Sequence, residues 1–177
     1  MDMAIVKTPM GDLSIFADAG AIVAIEYGRG ATLSDSKSSQ ASPLLENARK
    51  QLGEYFLNRR QKFSLPLSPQ GTPFQHQVWR IMQDIPFGET LTYGALAKRL
   101  SSSPRAVGGA CRSNPIAIVI PCHRIVATAP RRKNIAQGFA LGGYSGGSGP
   151  ETKKRLLRLE QAVGFEYSTI SDRATPV

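Results

Sequence analysis

Near the start of the chain the apolar positions come in short runs. Ala4 to Thr8, Leu13 to Ala17 and Ile22 to Tyr27 are separated by the turn-sized stretches Pro9-Met10-Gly11 and Ala19-Gly20-Ala21. Runs of that length, so joined, predict an antiparallel β-meander. Gly28 to Ser42 is rich in Gly, Ser and Asp and reads as an exposed loop. From Pro43 the period lengthens. Leu44, Leu45, Ala48, Leu52, Tyr55 and Phe56 recur on one face of a helix. Pro43 suits its first turn, and Ser42 suits the N-cap. A short strand over Phe63 to Leu67 follows, and Ser68-Pro69-Gln70-Gly71 marks a boundary.

Beyond that boundary the pattern is mostly helical. Thr72-Pro73 opens a helix with Phe74, Val78, Ile81 and Met82 inward, and Ile85-Pro86-Phe87-Gly88 ends it. Thr92 can cap a helix carrying Tyr93, Leu96, Ala97 and Leu100. After Ser101-Ser102-Ser103, Ser103-Pro104 starts a second helix, Arg105 to Arg112. So short a joint between two short helices fits a helix-turn-helix, although any helical hairpin would share it. Asn114-Pro115 stops the second helix. Ile116 to Ile120 is an unbroken apolar run and predicts a buried strand or extended segment leading into Pro121-Cys122-His123-Arg124. A last helix is expected from Pro150 to about Ala162, packing Leu156, Leu157 and Leu159. The polar end from Ser168 is expected to fray.

The composition narrows the class. With 177 residues and 41% hydrophobic content, the chain can bury one or two cores. No apolar run approaches the ~18 residues of a membrane span, and the N-terminus lacks a signal-peptide layout. No membrane role is expected, and cytoplasm is the default compartment. Two cysteines, Cys111 and Cys122, exclude a disulfide framework, and two histidines make a structural zinc site improbable. Neither metal nor cofactor is expected. A net charge of +9 favours a polyanionic partner, nucleic acid ahead of membrane. A basic protein without such a partner fits the charge equally well.

Cys122 is the candidate nucleophile. Thiolate is the reactive form, and neighbours decide how much of it exists. Pro121 fixes the approach, and His123 can assist deprotonation directly or through a water if a third group orients it. Glu160, on the last helix, is the candidate orienter. An inert buried thiol and a histidine satisfied by a carbonyl are the commoner fates of such residues taken singly.

The surrounding residues change that balance. Pro121-Cys122-His123-Arg124-Ile125-Val126 resembles the active-site motif of O6-alkylguanine-DNA alkyltransferases. Arg105-Ala106-Val107-Gly108-Gly109-Ala110 closed by Asn114-Pro115, Gly88-Glu89-Thr90-Leu91-Thr92-Tyr93-Gly94, and Gly143-Tyr144-Ser145-Gly146-Gly147 match the same family, in the same order. The match spans about Thr72 to Glu160. The resemblance implies a mixed α/β chain in two domains. A small ribonuclease-H-like sheet-and-helix domain would occupy 1–70. A mostly helical, winged-helix-like domain with the helix-turn-helix would occupy 71–165, followed by a flexible tail over 166–177.

The resemblance also implies a chemistry: single-turnover transfer of an alkyl group from O6 of guanine, less readily O4 of thymine, in double-stranded DNA to Cys122. His123 would be a water-mediated base, Glu160 would complete the relay, and Asn114 would brace the turn before the cysteine. The target lies inside the duplex, so the base must be extruded, at a cost of a few kcal/mol. Arg105 matches the residue that fills the hole. Ala106, Gly109 and Ala110 form a small-residue face suited to the minor groove, and Gly108 and Arg112 belong to the same DNA-binding helix. Tyr93 matches the residue that meets N3 of the guanine. The carbonyls of Cys122 and Ile125 correspond to acceptors for the exocyclic amine, while Tyr144 and Ser145 correspond to the pocket wall and a donor near O6. The protein is expected to act as a monomer, with clustering along DNA left open.

Some features stand apart from the motifs. Ala127 to Leu141 is longer than the family's usual loop, and its Arg131, Arg132 and Lys133 are a candidate contact to the DNA backbone or a solvated loop. Cys111 is expected to be a bystander, Trp79 core, and His76 an uninvolved residue on an exposed helix face. The competing classes are a non-catalytic reader of alkylated bases, a cysteine hydrolase and a dimeric helix-turn-helix regulator. Cys122 opposes the first, no separate substrate cleft supports the second, and the third has no use for Pro-Cys-His-Arg.

Overall fold

The structure, a computed structural model, describes residues 1–28, 42–128 and 139–162. Strands β1 (Asp2–Thr8), β2 (Gly11–Asp18) and β3 (Ala21–Tyr27) form an antiparallel meander in the order β1-β2-β3. The expected turns are therefore in place, with Gly11 and Gly20 at positive φ. Helix α1 (Pro43–Phe56) starts where the proline and the cap predict: the Ser42 hydroxyl accepts from the Leu45 amide. It lies against the sheet, burying Leu45, Ala48, Leu52 and Tyr55. Helices α2 (Pro73–Gln83), α3 (Tyr93–Arg99) and α4 (Pro104–Arg112) follow, capped by Thr72, Thr92 and Ser103. A one-turn 3-10 helix holds Cys122–Arg124. Strands β4 (Leu91–Thr92), β5 (Ile125–Thr128) and β6 (Phe139–Ala140) form a small sheet in the order β4-β5-β6, and helix α5 (Pro150–Leu159) closes the described chain. Helices α3 and α4 pack on each other as a helix-turn-helix pair, and β5 packs on α3.

Three expectations of secondary structure need correction. Phe63 to Leu67 is extended but is not a strand; it makes one isolated parallel bridge, Ile22 to Leu67. Pro66 has no amide to offer a ladder, and the Gln51 side chain takes the place of a neighbouring strand. Its carbonyl accepts from the Ser64 amide at 2.9 Å, and its amide donates to the Ser64 carbonyl at 3.2 Å. Ile116 to Ile120 is a turn, not a strand, as described below. The last helix ends at Leu159, with Glu160 as its C-cap and Gln161 at φ 52°. The expected loop interior, the basic triplet Arg131-Arg132-Lys133 and the C-terminal tail lie outside the described residues. The segment from Ala127 to Leu141 begins and ends in paired backbone, Ala127 with Ala140 and Thr128 with Phe139.

One apolar core runs across the sequence boundary. Leu13, Ile15, Ile22 and Ile25 of the meander share it with Val78, Trp79, Met82, Ile116 and Ile120. Trp79 is a core residue, 1% exposed, and its indole N–H donates to the Ala110 carbonyl at 2.9 Å. His76 is half-buried rather than exposed, with its ring edge-to-face on Trp79 at 5.3 Å.

Candidate active site

Two successive tight turns deliver Cys122. The Val119 amide donates to the Ala117 carbonyl around Ile118, and the Cys122 amide donates to the Ile120 carbonyl around Pro121. Ile118 has φ 72°, an unfavourable value for a β-branched residue, at a cost of about 1–3 kcal/mol. The apolar run signalled burial correctly, but its backbone partners are not a ladder. The Asn114 side chain donates to the Ile120 carbonyl at 2.7 Å and accepts from the Ile116 amide at 3.0 Å. The edge of β3 supplies the rest. The Ile25 amide donates to the Pro115 carbonyl at 2.9 Å, and the Ala117 amide to the Ile25 carbonyl at 3.2 Å.

Glu160 gathers a buried network. Its Oε1 lies 2.7 Å from His123 Nε2, accepts from the Tyr55 hydroxyl at 2.7 Å and accepts from Arg124 Nη2 at 3.0 Å. Its Oε2 accepts from Arg124 Nε at 2.9 Å and from the Gly88 amide at 3.4 Å. Gly88 is at φ 80°, a conformation favoured by glycine, and a Cβ there would lie 3.0 Å from the Glu160 carbonyl. Burial would raise the carboxyl, but His123 and Arg124 outweigh it and hold Glu160 well below the usual carboxylate range. Two hydrogen bonds from the Arg124 guanidinium favour the ionised carboxylate even when His123 is neutral. An ionised carboxylate only accepts hydrogen bonds, so His123 Nε2 carries the proton. His123 Nδ1 is buried and makes no hydrogen bond among the described residues. Burial lowers the histidine, Glu160 opposes it, and Arg124 and Lys153 add to it, so the ring is neutral.

Burial pushes the Cys122 thiol up, and the polar Asn114 side chain beside it and the charge of Lys153 pull against it. Lys153 is fully buried; its ammonium donates to the carbonyls of Ile125 and Gly143 and lies 5.5 Å from the Tyr93 ring centroid. Tyr93 donates its hydroxyl to the Gly143 carbonyl at 3.3 Å. Burial, then the charges of Cys111 and Cys122, raise it to about 12, so it keeps its proton at neutral pH. The Cys122 carbonyl accepts from the Ile125 amide, and the Ile125 carbonyl accepts from Lys153, leaving each a second lone pair.

Cys122 opens onto a cavity of about 510 Å³, also lined by Tyr27, Asn114, Ala117, Tyr144 and Ser145. The hydroxyls of Tyr27 and Tyr144 lie close enough to influence each other, yet neither makes a bond of good geometry among the described residues. Gly146 keeps this wall tight, since a Cβ there would come within 2.8 Å of both tyrosine rings. Cys111 is buried with its thiol 3.7 Å from the Met82 sulfur; burial, then Cys122, raise it to about 12. Among the described residues no three His, Cys, Asp or Glu side chains are grouped to hold a metal ion.

On α4, Arg105, Ala106, Gly109 and Arg112 are exposed and Gly108 is half-buried. A Cβ on Gly108 or Gly109 would meet nothing within 4 Å, so packing inside the protein does not demand glycine there. Ala110 is a correction: it faces the core, 3% exposed, not the small-residue face. Tyr55, Arg124 and Lys153 were missed as site residues. Lys153 carried a signal, a charged residue on the apolar stripe of α5 with Leu156 and Leu157. Tyr55 carried none beyond its core position.

Known proteins match this arrangement. Residues 73–162 match the family model "6-O-methylguanine DNA methyltransferase, DNA binding domain", and residues 1–69 match "6-O-methylguanine DNA methyltransferase, ribonuclease-like domain". The chain is 34% identical to a methylated-DNA–protein-cysteine methyltransferase of Methanosarcina acetivorans, covering 90% of this chain and 98% of the relative. It is 36% identical to the constitutive methylated-DNA–protein-cysteine methyltransferase of Bacillus subtilis, covering 88% and 92%. The crystal structure of Mycobacterium tuberculosis OGT in complex with DNA superposes with a TM-score of 0.72 at 31% identity, over 89% of this chain and 91% of that one.

Proposed function

Because the chain belongs to the methylated-DNA–protein-cysteine methyltransferase family, which repairs DNA by alkyl transfer to a cysteine, we propose that Cys122 is its acceptor and O6-alkylguanine in duplex DNA its main substrate. O4-alkylthymine is the slower substrate. The observation that carries this reading is the commitment of His123 Nε2 to an ionised Glu160, which leaves buried Nδ1 as the basic nitrogen beside the cysteine in sequence.

The thiol proton passes through a water to His123 Nδ1. The thiolate attacks the alkyl carbon, an S–C bond forms and the C–O6 bond breaks. The electron pair stays on the purine, and the proton of Tyr93 quenches the charge at N3. The Cys122 and Ile125 carbonyls take the exocyclic amine on their remaining lone pairs, with Tyr144 and Ser145 bounding the base. The thioether is not reversed, so each molecule reacts once. Presentation of the base to Cys122 requires its extrusion from the duplex. Arg105 fills the gap, while the open face at Ala106, Gly108 and Gly109 lets α4 approach the minor groove and Arg112 meets phosphate. The protein acts as a monomer.

The test is intact mass and peptide mapping after mixing with a duplex carrying O6-methylguanine. A gain of one methyl on Cys122, saturating at one per chain and absent in Cys122→Ser, is expected. Lesion binding without a mass change would replace transfer by non-catalytic damage recognition.

A further inference from the structure

Tyr55 lies far from Cys122 in sequence, on the helix of the N-terminal sheet domain, yet its hydroxyl shares Glu160 Oε1 with His123. The side chain is fully buried. Its ring is set by Phe56, Phe63 and Phe87, with centroids 5.2, 5.5 and 6.1 Å away. Aromatic packing therefore places the hydroxyl, and the hydroxyl in turn addresses the carboxylate.

We propose that Tyr55 is a positioning residue of the alkyl-acceptor site: by donating to Glu160 Oε1 it fixes the carboxylate that orients His123, and so brings the N-terminal domain into the transfer chemistry. The inference rests on His123 being the proton acceptor for Cys122. The physical basis is competition for one oxygen. Oε1 has two in-plane lone pairs, and three groups converge on it. Tyr55 and Arg124 restrict the direction from which His123 can bond, and both draw charge density from the oxygen. A carboxylate whose charge is partly committed elsewhere attracts an imidazolium less strongly. His123 then remains neutral and ready to accept a proton.

The groups bearing on His123 come from several elements. Glu160 at the end of α5 favours its charged form, whereas Arg124 beside it and Lys153 within α5 oppose that form. Tyr55, from α1, acts only through Glu160. Removing its hydroxyl leaves the other groups in place and strengthens the Glu160 attraction. His123 becomes more basic, and a ring that must be neutral to act is charged up to a higher pH.

The experiment measures methyl transfer to Cys122 across pH, with an NMR titration of the His123 ring in the free protein. In Tyr55→Phe, which keeps the ring packing, the acid limb of the rate profile and the His123 titration should both move up by roughly half to one pH unit. Site-specific 3-fluorotyrosine at position 55, a stronger donor that keeps the hydroxyl, should move both downward. Profiles that superimpose on the wild type, with only a lower melting temperature, would reduce Tyr55 to a core residue and overturn the inference. If the wild-type protein gains no methyl, the acceptor reading fails. The His123 titration in the two variants still decides whether Tyr55 controls the relay.

Discussion

Replacing Lys153 by methionine should remove a rise in stability at alkaline pH. Lys153 has no exposed surface, and burial lowers its ammonium from the ordinary 10.5 to about 8, against the opposing pull of Cys122 and Cys111. In the unfolded chain the side chain returns to its ordinary value. Between those two pH values the unfolded chain holds a proton that the folded chain lacks, so stability rises with pH. Below about 8 both states are charged, and the folded protein carries the whole cost of burial. At about 1.4 kcal/mol per pH unit, the fall from 10.5 to about 8 amounts to roughly 3 kcal/mol. Methionine fills a similar volume with a flexible apolar chain and carries no titratable group. Urea unfolding of the two proteins side by side, at neutral pH and at about pH 10, checks the claim. Titrating groups remote from Lys153 are common to both and cancel in the difference. That difference should shift toward the wild type by roughly 2–3 kcal/mol at the higher pH. A difference that stays constant would show that Lys153 is charged throughout, and the reasoning from its burial would be refuted.

Two further substitutions probe the proposed DNA contact of α4 and the turn before Cys122. In Gly109→Leu the side chain enters open space, so stability should hold or gain up to about 1 kcal/mol from helix propensity, while affinity for duplex DNA falls; retained affinity would remove α4 from the interface. Asn114→Ala strands the Ile116 amide and leaves the Ile120 carbonyl only the Cys122 amide, which should cost about 1–3 kcal/mol and slow methyl transfer. Calorimetry reads the first effect and peptide mass the second, and an unchanged melting curve counts against the brace.

The parts of the fold legible in the sequence were those governed by local chemistry. Gly11 and Gly20 turn the meander, and Ser42, Thr72, Thr92 and Ser103 cap helices with hydroxyls where a capping residue precedes an apolar period. Ile116 to Ile120 was legible only in part. Apolarity reports burial, whereas the partner of a backbone amide depends on what the fold brings alongside. Here that is the Asn114 side chain and the edge of β3. Phe63 to Leu67 failed for the same reason, because Gln51 supplied partners that periodicity cannot anticipate. Ala110 shows a different limit: it lies about 100° round the helix from Gly109, and the helix phase decides which of the two meets solvent.

The site divides in the same way. Cys122, His123 and Asn114 could be singled out because they lie within one short stretch, and Glu160 because a histidine base needs an orienting carboxylate. Tyr55 and Lys153 matter through contacts made across long sequence separations, to Glu160 and to Ile125. The sequence boundary at Ser68–Gly71 is therefore not a boundary in the chemistry. Ile25 bonds the strained turn before Cys122, Tyr27 walls the cavity, and Tyr55 reaches the carboxylate. A turn holding Ile118 at φ 72° needs neighbours that outweigh its strain. The edge of β3 is one of them, so loosening the meander should disturb Cys122 before it unfolds the helical half.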